Sequence, residues 1–243
     1  MKYYLIAGEA SGDLHASNLM KELAAIDNST EFRFLGGDKM LEVGGTLVKH
    51  YKEMAFMGLM DVLANLRTIS KNLRICKYDI QTWKPDAIIL VDYAGFNLRV
   101  AEFAKGLGIK VFYYISPKVW VWKRSRIKKL KQFTDKLFVI FPFEVEFFKT
   151  HEMDVEYYGN PLMDSYSQFM ENTGKEGNFR LDNNLPEKPI IALLSGSRKD
   201  EIRRCLPEMI KASESFPEYQ FVVAGAPSIS DSLYNKYIQN TEI

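Results

Sequence analysis

Tyr3-Tyr4-Leu5-Ile6-Ala7-Gly8-Glu9-Ala10-Ser11-Gly12-Asp13-Leu14-His15 is the stretch that decides the fold. An apolar run stops at Gly8 and passes through small and acidic residues. It then enters a helical pattern whose buried face is marked by Leu14, Leu19, Met20, Leu23 and Ile26. This is the first strand, turn and helix of an open α/β sheet, an architecture that takes ligands beyond the carboxyl ends of its strands. The turn reads G-x-x-x-G, so the G-x-G-x-x-G fingerprint of dinucleotide sites is absent. A carboxylate at Glu9 repels phosphate and suits a hydroxyl or amine, as hydrogen-bond or proton acceptor. Ser11 or Asp13 can cap the helix, and capping alone would also account for Glu9 and Asp13.

Working outward, the strands and helices alternate. Glu31–Leu35 and Thr46–Lys49 read as strands around a short helix at Lys39–Val43. Met54–Met60 is rich in methionine, which suits either core packing or acyl chains, and a long helix follows it to about Trp83. Pro85–Val91 is nearly continuous apolar sequence, the mark of a central parallel strand covered on both faces. Asp92 stands at that strand's carboxyl end, where ligand is expected, with Gly95 and Asn97 as alternative caps for the next helix. Lys110–Ile115 and Asp135–Ile140 are further strands, and Pro142 opens a helix in its first turn. The pattern predicts a doubly wound parallel sheet over residues 1–163.

Between two of these strands runs Trp120-Val121-Trp122-Lys123-Arg124-Ser125-Arg126-Ile127-Lys128-Lys129-Leu130-Lys131, basic and without an acid. Indoles beside cations suit an anionic membrane surface, although a solvated basic helix with both tryptophans turned inward fits as well. Loop-forming residues place a linker at 164–189. A second α/β unit starts at Ile190–Leu194, and its first turn, Ser195-Gly196-Ser197-Arg198, reverses the polarity of the first. Small residues expose amides at a helix start and Arg198 adds a forked cation, which together make an anion site.

The chain has 243 residues, is 47% hydrophobic and carries a net charge of +1, so no global charge argues for nucleic acid. Cys76 and Cys205 give no disulfide framework or zinc spacing, and a reducing cytoplasm is the expected setting. His15, His50 and His151 are scattered, so no metal is expected. No apolar run approaches the ~20 residues of a membrane span, and the direct entry into the first strand leaves no signal peptide.

Gly8-Glu9-Ala10-Ser11-Gly12-Asp13, Asp92-Tyr93-Ala94-Gly95-Phe96-Asn97, Tyr114-Ile115-Ser116-Pro117-Lys118-Val119-Trp120-Val121-Trp122 and Phe141-Pro142-Phe143-Glu144 together resemble the lipid-A-disaccharide synthases. Ser195-Gly196-Ser197-Arg198 is similar to that family's Pro-Gly-Ser-Arg, with serine for proline. The resemblance covers essentially the whole chain. It implies a GT-B glycosyltransferase of two Rossmann-type domains, the second incomplete at 190–243. Such an enzyme joins UDP-2,3-diacylglucosamine to 2,3-diacylglucosamine 1-phosphate (lipid X) without a cofactor. It works in the cytoplasm, peripherally on the anionic inner-membrane surface of Gram-negative bacteria. No nucleic acid is expected, and a homodimer stays open. Asp92, or alternatively Glu9, would be the catalytic base. Ser11, Asp13, Asn97, Trp120 and Trp122 would serve the acceptor side, and Ser195, Gly196, Ser197 and Arg198 the donor phosphates. As the family continues beyond this length, weak UDP binding and little catalysis are expected of residues 1–243 alone. A UDP-sugar epimerase of similar build and a non-catalytic lipid-binding module are the competing readings.

Overall fold

A computed structural model describes residues 1–54, 65–121, 123–173 and 179–238. The expected methionine-rich stretch from residue 55 onward and Trp122 lie outside the described residues. The chain divides into two compact units, Met1–Phe169 and Met170–Ile243.

The first unit is built on a parallel seven-stranded sheet. Its strands are β1 (Lys2–Ala7), β2 (Glu31–Gly36), β3 (Thr46–His50), β4 (Ala87–Val91), β5 (Lys110–Tyr114), β6 (Lys136–Val139) and β7 (Glu156–Tyr157). They lie in the order β3-β2-β1-β4-β5-β6-β7. The chain therefore winds outward one way from β1, then returns to β4 and winds the other way. The topological switch point falls between β1 and β4, where open α/β sheets leave a crevice at their carboxyl ends.

The period-two alternation of each strand splits the core in two. Tyr4, Ile6, Ile88 and Leu90 face one side, packed with Cys76, Ile80, Phe96, Val100 and Phe148. Leu5, Ala7, Ile89 and Val91 face the other, against Ala16, Met20 and Met40. Five consecutive buried residues in β4 reflect cover on both faces. The helices that supply this cover are α1 (Ala10–Ile26), α2 (Asp38–Val43), α3 (Leu66–Trp83), α4 (Ala94–Gly106), α5 (Arg126–Phe133) and α6 (Pro142–Lys149). A short 3₁₀ turn, Tyr51–Glu53, follows β3.

Helix α7 (Pro161–Thr173) runs into the segment expected to be linker. The reason is legible after the fact: Leu162, Met163, Tyr166, Phe169 and Met170 recur at helical spacing, although their side chains are exposed. Asn18 of α1 reaches Ser165 of α7 at 3.3 Å. In the second unit, α8 (Phe179–Asp182) precedes the parallel pair β8 (Ile190–Leu193) and β9 (Gln220–Val223). Helices α9 (Lys199–Ser213) and α10 (Asp231–Ile238) bury Ile202, Leu206, Ile210 and Tyr234 against Val223.

Candidate active site

Register brings the two acidic turns together. Ala7 of β1 pairs with Val91 of β4, so Gly8-Glu9 and Asp92-Tyr93 leave adjacent strands side by side at the switch point. Glu9 is the N-cap residue of α1, half-buried, and its side chain makes no capping bond. Its charge reaches Tyr93, whose hydroxyl is pushed up to about 12, first by burial and then by Glu9. Tyr93 stacks on Phe96 and donates to the carbonyl of Met54 at 2.8 Å. Its ring fills the space over Gly8, where a Cβ would lie 2.4 Å from the ring. Gly8 is thus required by close approach, a role that the sequence alone did not reveal.

Asp92 is exposed at the end of β4, as the strand pattern predicted. Its backbone is not ordinary. Asp92 (φ 42°), Tyr93 (φ 45°) and Ile115 (φ 66°) all occupy the left-handed region, and for a β-branched residue that is a genuine outlier. Such strain persists only where surrounding structure over-determines it. Here the bonds are visible. The Asp92 carbonyl accepts from the Tyr113 hydroxyl and from Asn97 Nδ2 at 2.9 Å, while the Asp92 N–H donates to the Ile115 carbonyl at 3.3 Å. Asn97 Nδ2 also donates to the Val91 carbonyl at 3.1 Å. The strained turns after β4 and β5 therefore hold each other.

Several residues expected to touch the acceptor do other work. Asn97 is fully buried, and its Nδ2 is spent on the carbonyls of Val91 and Asp92. Asp13 is also buried and does not cap its own helix. Its carboxylate accepts from the amides of Gly37 (2.8 Å), Lys39 (3.1 Å) and Met40 (3.2 Å), which caps the neighbouring helix α2 on the same face of the sheet. Trp120 is half-buried and its indole N–H donates to Glu144 Oε1 at 3.1 Å, with the ring edge-on to Phe143. Glu144 is itself buried, and its other oxygen accepts from the amides of Ile140 and Phe141. An indole held this way braces the loop after β5. Ser11 is exposed in the first turn of α1. Next to it along the helix, burial lowers the pKa of His15, opposed by the charge of Asp164 on α7.

In the second unit the turn after β8 has the conformation expected of an anion cradle, with Gly196 at φ 110°. Ser195 is buried. The cradle already holds a carboxylate. Glu201 Oε2 accepts from the Ser197 amide at 3.1 Å and Oε1 from Arg198 at 2.9 Å. The Arg198 guanidinium first, opposed by burial and helped by the Ser197 amide, keeps the Glu201 carboxyl below its usual range. The acid three residues after Arg198 was the signal to read, since i,i+3 pairs share a helix face.

The comparisons agree with this architecture. Among solved structures the chain is similar to UDP-GlcNAc 2-epimerase from Methanocaldococcus jannaschii, crystallised with UDP-GlcNAc and UDP. The TM-score is 0.68 at 12% identity, covering 100% of this chain and 72% of that one. The epimerase from Neisseria meningitidis gives a TM-score of 0.62 at 12% identity, covering 99% of this chain and 70% of that one. These likenesses establish a GT-B-like α/β fold. By sequence the chain is 40% identical over 232 residues to a lipid-A-disaccharide synthase of Geobacter metallireducens, covering 94% of this chain and 60% of the relative. It is 36% identical to lipid-A-disaccharide synthase 1 of Legionella pneumophila, covering 98% and 63% respectively. The chain thus spans about 60% of the length of the curated relatives it matches. A family model described as lipid-A-disaccharide synthetase matches residues 3–242, and the chain belongs to that family.

Proposed function

We propose that residues 1–243 form the acceptor-binding domain and the first part of the donor-binding domain of a lipid-A-disaccharide synthase. The whole protein would transfer a glucosaminyl group from UDP-2,3-diacylglucosamine to the 6-hydroxyl of 2,3-diacylglucosamine 1-phosphate, releasing UDP at an anionic membrane surface. The observation that carries this reading is that the turns bearing Glu9 and Asp92 leave adjacent strand ends at the β1/β4 switch point, in a chain of this family.

Asp92 takes the proton from the acceptor hydroxyl as that oxygen attacks the anomeric carbon, and the bond to the UDP oxygen breaks on the opposite face. Glu9 accepts a hydrogen bond from the sugar and fixes its orientation. The Ser195–Ser197 amides and Arg198 receive the departing diphosphate, with Glu201 as the carboxylate it displaces. An epimerase needs no acyl chains, so micellar acceptor distinguishes the two readings. Calorimetry should show saturable binding of 2,3-diacylglucosamine 1-phosphate to the chain, weakened by Glu9→Gln. Fused to the remaining part of the Geobacter metallireducens relative, the chain should make disaccharide. Asp92→Asn in that fusion should lower kcat by roughly 10²–10⁴-fold. Turnover unchanged by Asp92→Asn would remove it from the role of base.

A further inference from the structure

Tyr93 breaks two local rules at once. It is the N-cap residue of α4, where a short side chain able to accept from the helix amides is favoured, yet its side chain makes no capping bond. It also sits at φ 45° directly after Asp92 at φ 42°, a conformation that glycine would adopt without steric cost. A bulky aromatic residue there gives up stability locally, so its return must come from what the ring touches. The ring is stacked on Phe96, with centroids 5.5 Å apart and planes 25° apart. It also lies against Gly8, where any side chain would drive its Cβ into the ring. Beyond the ring, the hydroxyl donates to the Met54 carbonyl at 2.8 Å. The Glu53 carbonyl next to it accepts from Asn72 Nδ2 of α3 at 3.2 Å, so the turn that receives Tyr93 is itself anchored.

Strand pairing between β1 and β4 ends at Ala7 and Val91, so beyond that point the ladder no longer sets how far apart the two acidic turns lie. Tyr93 belongs to one of these turns by the chain and packs on the other at Gly8, and the Glu9 charge is near enough to bear on its hydroxyl. An aromatic ring with only two side-chain torsions is a stiff object to place between them. We propose that Tyr93 is a positioning residue whose ring is the spacer that holds the Glu9 and Asp92 carboxylates at the separation the acceptor sugar needs. It acts through those two acids and not on the reacting atoms. This rests on the glycosyl transfer proposed above and adds the part that aims its two acids.

The test is a set of kcat measurements on the fusion enzyme, with thermal unfolding to verify that each variant is folded. Tyr93→Leu should lower kcat by up to about 10²-fold, the cost of misplacing a reacting group by about 1 Å. Gly8→Ala, which pushes the ring from the other side, should lower it in the same way. Tyr93→Phe keeps the ring between Phe96 and Gly8 and should lose far less. With Asp92→Asn already in place there is no base left to aim, so Tyr93→Leu should then cost little more. An equal loss in both backgrounds would mean general loosening and overturn the proposal. Equal losses in Tyr93→Phe and Tyr93→Leu would overturn it too. Hydrogen exchange on the chain alone needs no turnover: Tyr93→Leu should raise exchange over residues 8–13 and 92–97 together. A rise confined to 92–97 would overturn the coupling whatever the reaction, whereas a wild-type fusion that made no disaccharide would count against the proposed function.

Discussion

At Asp92 a carboxylate sits on a left-handed backbone that costs roughly 1–3 kcal/mol in a residue other than glycine. Tyr113 and Asn97 offset this through the Asp92 carbonyl. Tyr113→Phe keeps the buried ring and removes only the donor. We expect a loss of about 1–2 kcal/mol in urea unfolding. In the fusion enzyme kcat should fall while KM for the acceptor holds, because the carboxylate is re-aimed and the pocket is not. Asp13 is the second residue whose chemistry is fixed by its neighbours. Removing the acceptor of three amide bonds in Asp13→Ala should cost about 2–3 kcal/mol. For a unit of this size that is a fall in Tm of roughly 4–12 °C, measurable by calorimetry. A retained Tm would mean that water replaces the carboxylate at the start of α2.

Among the elements, the β8–α9 turn carries the sharpest prediction. Glu201 holds the Ser197 amide and Arg198, so Glu201→Ala should remove a competing carboxylate from the turn and raise the affinity for UDP, measured by calorimetry on the chain. No gain, or a loss, would show that Glu201 orders the cradle instead of competing for it. The pH dependence has a definite sign. Because Arg198 keeps the folded Glu201 carboxyl below its usual range, this contact is fully present above the unfolded value of about 4.3. It fades as pH falls through the lower folded value. UDP affinity should accordingly be limited by Glu201 near neutrality, and NMR titration of the Ser197 amide should move only in acid. The loop after β5 is a second such element: Glu144, buried and accepting from Trp120 and two amides, ties that loop to the start of α6.

For the molecule as a whole, the two cysteines report on folding. Cys76 is fully buried and burial pushes its thiol up to about 12, whereas Cys205 is exposed. One equivalent of thiol reagent should react at once at pH 8, at Cys205. Cys76 should react only as fast as the first unit opens, so its rate in mild denaturant measures the stability of that unit separately from α9. Two reactive thiols in the native chain would mean that the core around Tyr4, Cys76 and Ile80 is looser than its packing shows.

The alternation of apolar strands and amphipathic helices was legible because each is a local periodicity, set by which neighbours along the chain share a face. The same locality put Asp92 and Glu9 at strand ends and let the motifs around them point to a family. Periodicity does not record partners far apart in sequence. That Asp13 caps α2, that Asn97 and Tyr113 grip the Asp92 carbonyl, and that Trp120 answers to Glu144 depend on sheet order, which folding alone sets. Side-chain chemistry nominated these residues as polar and placed them near the crevice. Burial and hydrogen-bond geometry, which exist only once β1 lies beside β4, decided that Asp92 faces outward while Asp13 and Asn97 hold the backbone behind it.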